Sequence, residues 1–282
     1  MGQSAEHERI TRRALSCDAN RECLQPLTLD ELAGKRGGFG AVGYPDGSTL
    51  ALEARAHCDN GDYLDTPGYP QSETDAQAAL TGCRDWMGRH LESAVNAAAG
   101  LLDAQGRVRP EQVTLRCTWI GGVRGRAKCN VLQDFGIVLH AAQDFYSHSN
   151  WTDVAIGPTG PLNPPGLGHE GPSPFIALRR DLAAPVGLIT GCFAIPETRC
   201  GARVTHEVLN KDEGPIAAAV GPGRTPRGRE NGNFARAVDA ATVDTMDKWA
   251  LLQERLIARY GPERGGRMIC AIATDDPVAA CP

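Results

Sequence analysis

Ten cysteines set in neighbouring couples constrain this chain more than any other feature. They fall at Cys17 and Cys23, Cys58 and Cys83, Cys117 and Cys129, Cys192 and Cys200, and Cys270 and Cys281. No two are spaced as CxxC, which argues against a zinc ribbon. Pairing each with its neighbour is the simplest arrangement and closes short loops, although spacing alone does not dictate connectivity. Disulfides persist in oxidising compartments, so a secreted protein is expected, and a cytosolic chain of free thiols is disfavoured. The start, MGQSAEHERI, is polar and lacks the apolar core of a signal peptide. Met1 is therefore read as an added start, placed after removal of a signal.

At 282 residues the chain is long enough for a sizeable core, and a single helical domain over 1–282 is expected. A net charge of −5 implies neither a nucleic-acid nor a membrane partner. No apolar run approaches the roughly 18 residues of a membrane span.

The pattern along the chain is helical. AEHERITRRAL reads as a helix with Ile10, Ala14 and Leu15 facing inward. Short helices are expected near LDELAG and TLALEARAH, within a Gly- and Pro-rich stretch over 25–70. A long helix begins near Ser72, where Asp75 completes a capping box, and ends at Gly100 or Gly106. Pro110 opens a short one. The clearest helix covers 129–149, with Val131, Phe135, Val138, Leu139 and Ala142 as its apolar stripe. Residues 156–174 are too rich in Gly and Pro for regular structure, and GPGRTPRGRENGN is irregular as well. The Arg-rich stretches GGVRGRAK and GRTPRGR read as solvated loops rather than as clamps for an anionic substrate. NFARAVDAATVDTMDKWALLQERLIARY reads as the last long helix. The fold class is therefore all-α: a multi-helix bundle with long irregular loops, stapled by disulfides.

Within 129–149 the spacing of His140, Asp144 and His148 stands out. Four residues on an α-helix advance about 400°, so the three share one face, each about 6 Å further along the axis. Imidazoles and a carboxylate beside an apolar stripe need partners if buried. A metal ion would supply one, since nitrogen and carboxylate oxygen suit borderline cations such as zinc. The plainer alternative is a solvated face with an Asp–His hydrogen bond. The chain has only seven histidines, and several others sit near acids: His57 before Asp59 and Asp62, His206 before Asp212, and His7 in the first helix. Facing helices that each donate a few ligands can build a multi-metal site. Cys58, between His57 and Asp59, is read as half of a disulfide that holds the ligand loop rather than as a thiolate ligand. Phe145 and Tyr146 are expected in the core, and Asn150 as a helix cap or a partner to a ligand. His90 is expected on the exposed surface, and His169 in a mobile loop.

The segment LHAAQDFYSHSNWTD resembles the H-x-x-x-D-F-[FY]-x-H-S-N-W signature of Het-C-like proteins. These are similar to the zinc-dependent phospholipase C and single-strand nuclease superfamily. HERITRRAL, HCDNGDYL, LITGCF and HEVLNKDEG resemble further stretches of that family, in order, over 7–212. The resemblance implies an all-α hydrolase fold holding roughly two or three zinc ions. It implies that His140, Asp144 and His148 are ligands on the central helix, with Asp144 bridging. His57 with Asp59 would complete one site, His206 another, and His7 a third. The family's nucleases and phospholipases begin with a Trp that binds metal; here Gly2 stands in that place. They carry an acid four residues after the last His; here that position is Asn210, with Asp212 nearby to take over. Asp46 is the candidate for their loop carboxylate.

By this resemblance the chain is expected to be a secreted zinc-dependent phosphodiester hydrolase, phospholipase C-like, with Asp144 or Asp59 orienting the attacking hydroxide. The expected substrate is a phospholipid or other phosphodiester, with a peripheral membrane surface as a candidate partner. An aromatic content of 5% argues mildly against a single-strand nuclease. The alternative of another class is a non-catalytic secreted metal-binding interaction or cell-death factor, whose metals are structural.

Overall fold

Helices carry the architecture of the computed structural model, which describes residues 4–17, 23–119, 125–217 and 219–281. Among these residues, β-structure is confined to isolated bridges. In chain order the helices are α1 (Ser4–Leu15), α2 (Pro26–Ala33), α3 (Glu73–Ala97), α4 (Pro110–Val113) and α5 (Ala127–His148). They continue with α6 (His206–Leu209), α7 (Pro226–Arg229), α8 (Asn233–Tyr260), α9 (Pro262–Ala273) and α10 (Pro277–Ala280). Met1 and Gly2 lie outside the described residues, as do residues 121–124 of the GGVRGRAK stretch. No helix of the described residues is long and apolar enough to cross a membrane.

Local chemistry sets the helix starts. Proline opens α2, α4, α7, α9 and α10, where its missing N–H leaves no bond unmade. At α3 the Asp75 N–H donates to Ser72 Oγ at 3.1 Å, and that hydroxyl lies 2.6 Å from the Asp75 carboxylate. Ser72 thus caps the helix as expected, but the Asp75 carboxylate meets the Ser72 hydroxyl rather than its backbone N–H, so only half of a capping box is formed. The TLALEARAH stretch forms two 3-10 turns, Thr49–Leu52 and Ala54–Ala56, in place of one helix.

The cysteines lie at disulfide distance in five couples, each cysteine with its sequence neighbour.

The chain divides into two compact units. The first comprises Met1–Leu50, Gly88–Leu139 and Thr245–Pro282. Its ends are tied by a buried lysine: Lys128 Nζ donates to Thr28 Oγ1 at 3.0 Å and to the Thr274 carbonyl at 2.5 Å. The Asp275 carboxylate accepts the N–H groups of Leu27 and Thr28 at the start of α2. Ile10, Ala14 and Leu15 are buried as their spacing requires. His90 departs from expectation. It is half-buried, and its Nδ1 lies 2.8 Å from the Asp134 carboxylate.

The second unit comprises Ala51–Met87 and His140–Asp244. Its 149–205 region has little regular structure, so its backbone polar groups are met one at a time. Asn150 does much of this. Its side-chain amide donates to the carbonyls of Pro165 and Gly187, and its oxygen accepts the Ile189 N–H. Asn150 is thus a loop anchor rather than the expected helix cap or ligand partner. Arg227 corrects the reading of GRTPRGR as wholly solvated. It is buried, with Nε 2.7 Å from the Asp153 carboxylate and further bonds to Asn163 and Pro164. His169, exposed in its loop, stacks on Trp151 at 4.0 Å.

Candidate metal centre

The last two turns of α5 are where the second unit's polar chemistry gathers. From Val131 to Asn150 only Gln133 and Ser147 escape full burial. The helix thus has no solvated face, and the plain reading of His140, Asp144 and His148 as surface residues falls. His140 has no exposure at all, and Asp144 and His148 have 3% each. Polar groups so placed must be satisfied from inside.

Partners come from two segments of the same unit. His57 comes directly after a 3-10 turn, and Cys58 adopts a left-handed backbone with φ of 57°. That conformation turns the chain sharply between His57 and Asp59. His57 Nδ1 lies 2.8 Å from Asp144 Oδ2 and 3.1 Å from His140 Nε2. Asp59 instead faces His206, Oδ1 to Nδ1, at 2.9 Å. Cys58 itself pairs with Cys83 on α3, and its sulfur sits 3.3 Å from the carbonyl of Ala141.

The other segment runs from Gly191 to Asp212. Gly191 admits no side chain, because a Cβ there would stand 2.5 Å from the backbone of His206. The Cys192–Cys200 disulfide closes the loop ahead of His206, whose N–H donates to the Cys192 carbonyl. Thr205 caps α6 by accepting the Val208 N–H. The His206 and His148 rings lie with centroids 3.8 Å apart. Asp212 Oδ1 lies 2.9 Å from His148 Nε2 and accepts the Ser147 hydroxyl. The Asp212 N–H donates to Asn210 Oδ1 at 2.7 Å, so Asn210 braces Asp212.

These contacts resolve into overlapping ligand groups. His57, His140 and Asp144 form one; Asp59, His148 and His206 form another; Asp144, His148 and Asp212 form a third. In each, one nitrogen or carboxylate oxygen per residue lies within 4.8 Å of the others. Asp144 and His148 each belong to more than one group, and for Asp144 this is the arrangement expected of a bridging carboxylate. The expectation for Asp59 is corrected in detail: it joins His148 and His206 rather than completing the His57 group. Asp62 is no part of the cluster. It is buried in an ion pair with Arg203 and accepts the Tyr69 hydroxyl at 2.5 Å.

His7 and Asp46 belong to the first unit, where His7 Nε2 lies 3.9 Å from Asp46 Oδ2. The expected loop carboxylate and the first-helix histidine are therefore neighbours.

The donor set fits a cation such as zinc. Bonds of about 2.0–2.1 Å to a tetrahedral ion put ligand atoms about 3.3 Å apart. His140 Nε2, His57 Nδ1 and Asp144 Oδ2 are mutually separated by 2.8–3.1 Å. Hydrogen bonding alone accounts poorly for this trio, since two ring nitrogens and one oxygen all converge. His148 Nδ1 is buried and has no hydrogen-bond partner among the described residues, an orphan a cation would satisfy. Electrostatics agree. Burial pulls the His206 imidazole down, but Asp59, with Asp212 and Asp144 behind it, outweighs burial and holds it up at about 9. Burial pushes the Asp212 carboxyl up, yet His148 and His206 bring it well below the usual carboxylate range. Several His/Asp groups able to hold a metal ion are thus present.

Comparison with known proteins adds no neighbour: no family model, curated protein or solved structure matches the chain.

Proposed function

We propose that this protein is a secreted zinc-dependent phosphodiester hydrolase of the phospholipase C type. The observation that carries the reading is the sharing of Asp144 and His148 among adjoining His/Asp groups. Overlap of that kind suits a multi-ion site, and the resemblance of LHAAQDFYSHSNWTD to the Het-C-like signature supports the same class. The five disulfide couples support an extracellular setting.

In this reading His57, His140 and Asp144 hold one ion, and His148 with His206, Asp59 and Asp212 hold its neighbour. Zinc, when bound, supplies a water of lowered pKa and neutralises charge on the phosphoryl oxygens. The protein's residues do the rest. Asp144 fixes both groups in register, and Asp59 or Asp144 orients the attacking hydroxide at a carboxylate oxygen. Substrate approach is from the side of His206 and Asp212, whose side chains keep 17% and 13% of their exposure.

One observation favours a second reading, a non-catalytic secreted metal protein. The α5 members of the cluster are almost wholly buried, and closed sites are the mark of structural metals. The deciding test offers the zinc-loaded protein phosphatidylcholine vesicles, a single-stranded oligonucleotide and bis(p-nitrophenyl) phosphate. Hydrolysis of a phosphodiester, lost by about a thousandfold in Asp144→Ala, is the expected result. Tight metal binding with no cleavage of any of the three would establish the second reading instead.

A further inference from the structure

Lys211 is a buried cation that the proposed chemistry does not use. Its side chain has no exposure, and it lies next to Asp212. Burying an ammonium is costly unless it is paired and hydrogen-bonded. Two of its bonds tie the Asp212 segment to the end of α5, and the others fix the lysine within its own segment and against Asp153. Nζ donates to the Ser149 carbonyl at 2.9 Å and to the Leu209 carbonyl at 2.8 Å. It also lies 3.1 Å from Asp153 Oδ1, and Arg227 holds the other oxygen of that carboxylate at 2.7 Å. The backbone N–H of Lys211 donates to the Ser147 carbonyl at 3.2 Å.

Ser147 and Ser149 flank His148. The lysine therefore grips the chain on both sides of one candidate ligand while carrying the other, Asp212, on the next residue. A cation beside the last carbonyls of a helix is also favoured by the helix dipole. No metal ligand is touched directly by Nζ among these bonds. Its effect on the cluster has to pass through main-chain carbonyls.

We propose that Lys211 is a positioning residue that sets the His148–Asp212 separation and so tunes metal affinity at that half of the cluster. This rests on the metal-centre reading above. Residues behind the ligands typically change metal affinity by about 10–100-fold when removed. The prediction is a loss of that size in Lys211→Met, confined to one ion. The His57–His140–Asp144 group should keep its metal.

The test is competitive chelator titration and cobalt-substituted absorption spectra on wild type, Lys211→Met, Lys211→Gln and Asp212→Asn, with far-UV circular dichroism as the folding control. Lys211→Gln keeps a donor for the carbonyls without the charge, and is expected to fall between wild type and Lys211→Met. It also serves if Lys211→Met does not fold. Loss of one metal equivalent with native helicity, and no further loss on adding Asp212→Asn, is the expected pattern. Unchanged affinity in a folded but less stable Lys211 variant would overturn the positioning role and leave the metal centre standing. A wild type that binds no metal would overturn the metal-centre reading itself, and the lysine's role with it.

Discussion

Asp144 is the residue on which the candidate centre turns. Its Oδ2 is within 2.8–3.0 Å of both His57 and His140, and it also belongs to the group with His148 and Asp212. Replacing it should therefore cost more than replacing any single histidine. Asp144→Ala is predicted to abolish metal binding throughout, whereas His57→Ala should spare the His148 side; elemental analysis of each purified variant checks this. Lys128 carries a separate prediction, in the first unit. Burial pulls its ammonium from 10.5 down to about 8, against the opposing pull of Asp275 and Glu31. Below pH 8 the lysine is charged in both states and the fold bears the full burial cost. Between about 8 and 10.5 the folded state sheds a proton that the unfolded chain keeps, so stability rises with pH across that window. The change is about 3 kcal/mol at about 1.4 kcal/mol per pH unit. Denaturant unfolding at pH 7.5 and pH 10 should show the gain in wild type and not in Lys128→Met.

At the scale of elements, α5 and the Cys58 turn divide the labour. The alignment of His140, Asp144 and His148 is legible in the sequence because helical periodicity fixes it. Their burial is not, since the chain reads as an amphipathic helix and only the packing of other segments removes its polar side from water. The separate destinations of His57 and Asp59 are equally hidden. They depend on the left-handed backbone at Cys58, a conformation that spacing does not encode. Asp212 is legible as an acid near His206, but the loop bonds that place it come from residues with no local signal, Lys211 among them. The helix α9 is not apparent in the sequence because paired Gly265 and Gly266 look like a break. Gly265 is instead a point where α9 packs tightly on α8, its missing Cβ leaving room for the backbone of Ile257. The Cys58–Cys83 disulfide bears a prediction of its own. It closes a loop of 25 residues, for which chain entropy suggests about 3–4 kcal/mol. Removing it as Cys58→Ala with Cys83→Ala should lower metal content as well as the melting temperature. Removing Cys17–Cys23, in the first unit, should lower only the latter. Equal metal content in the two double variants would contradict a role for the turn in holding His57 and Asp59.

For the whole molecule, the all-helical expectation and the neighbour pairing of cysteines agree with the structure, and the second unit gathers its ligand candidates from segments far apart in sequence. Metal should therefore act as a further staple on the folded state. A ligand that binds only the folded chain at about a hundred times its Kd stabilises by about 2.7 kcal/mol. A metal chelator should lower the melting temperature of wild type and leave Asp144→Ala unmoved. The most direct measurement of the central claim is the metal content of protein purified without added metal, beside His140→Ala and Asp144→Ala. A shared multi-ion centre requires roughly two or more zinc ions per chain, reduced in His140→Ala and absent from Asp144→Ala. A folded wild type that holds no metal, even after zinc is restored, would contradict it.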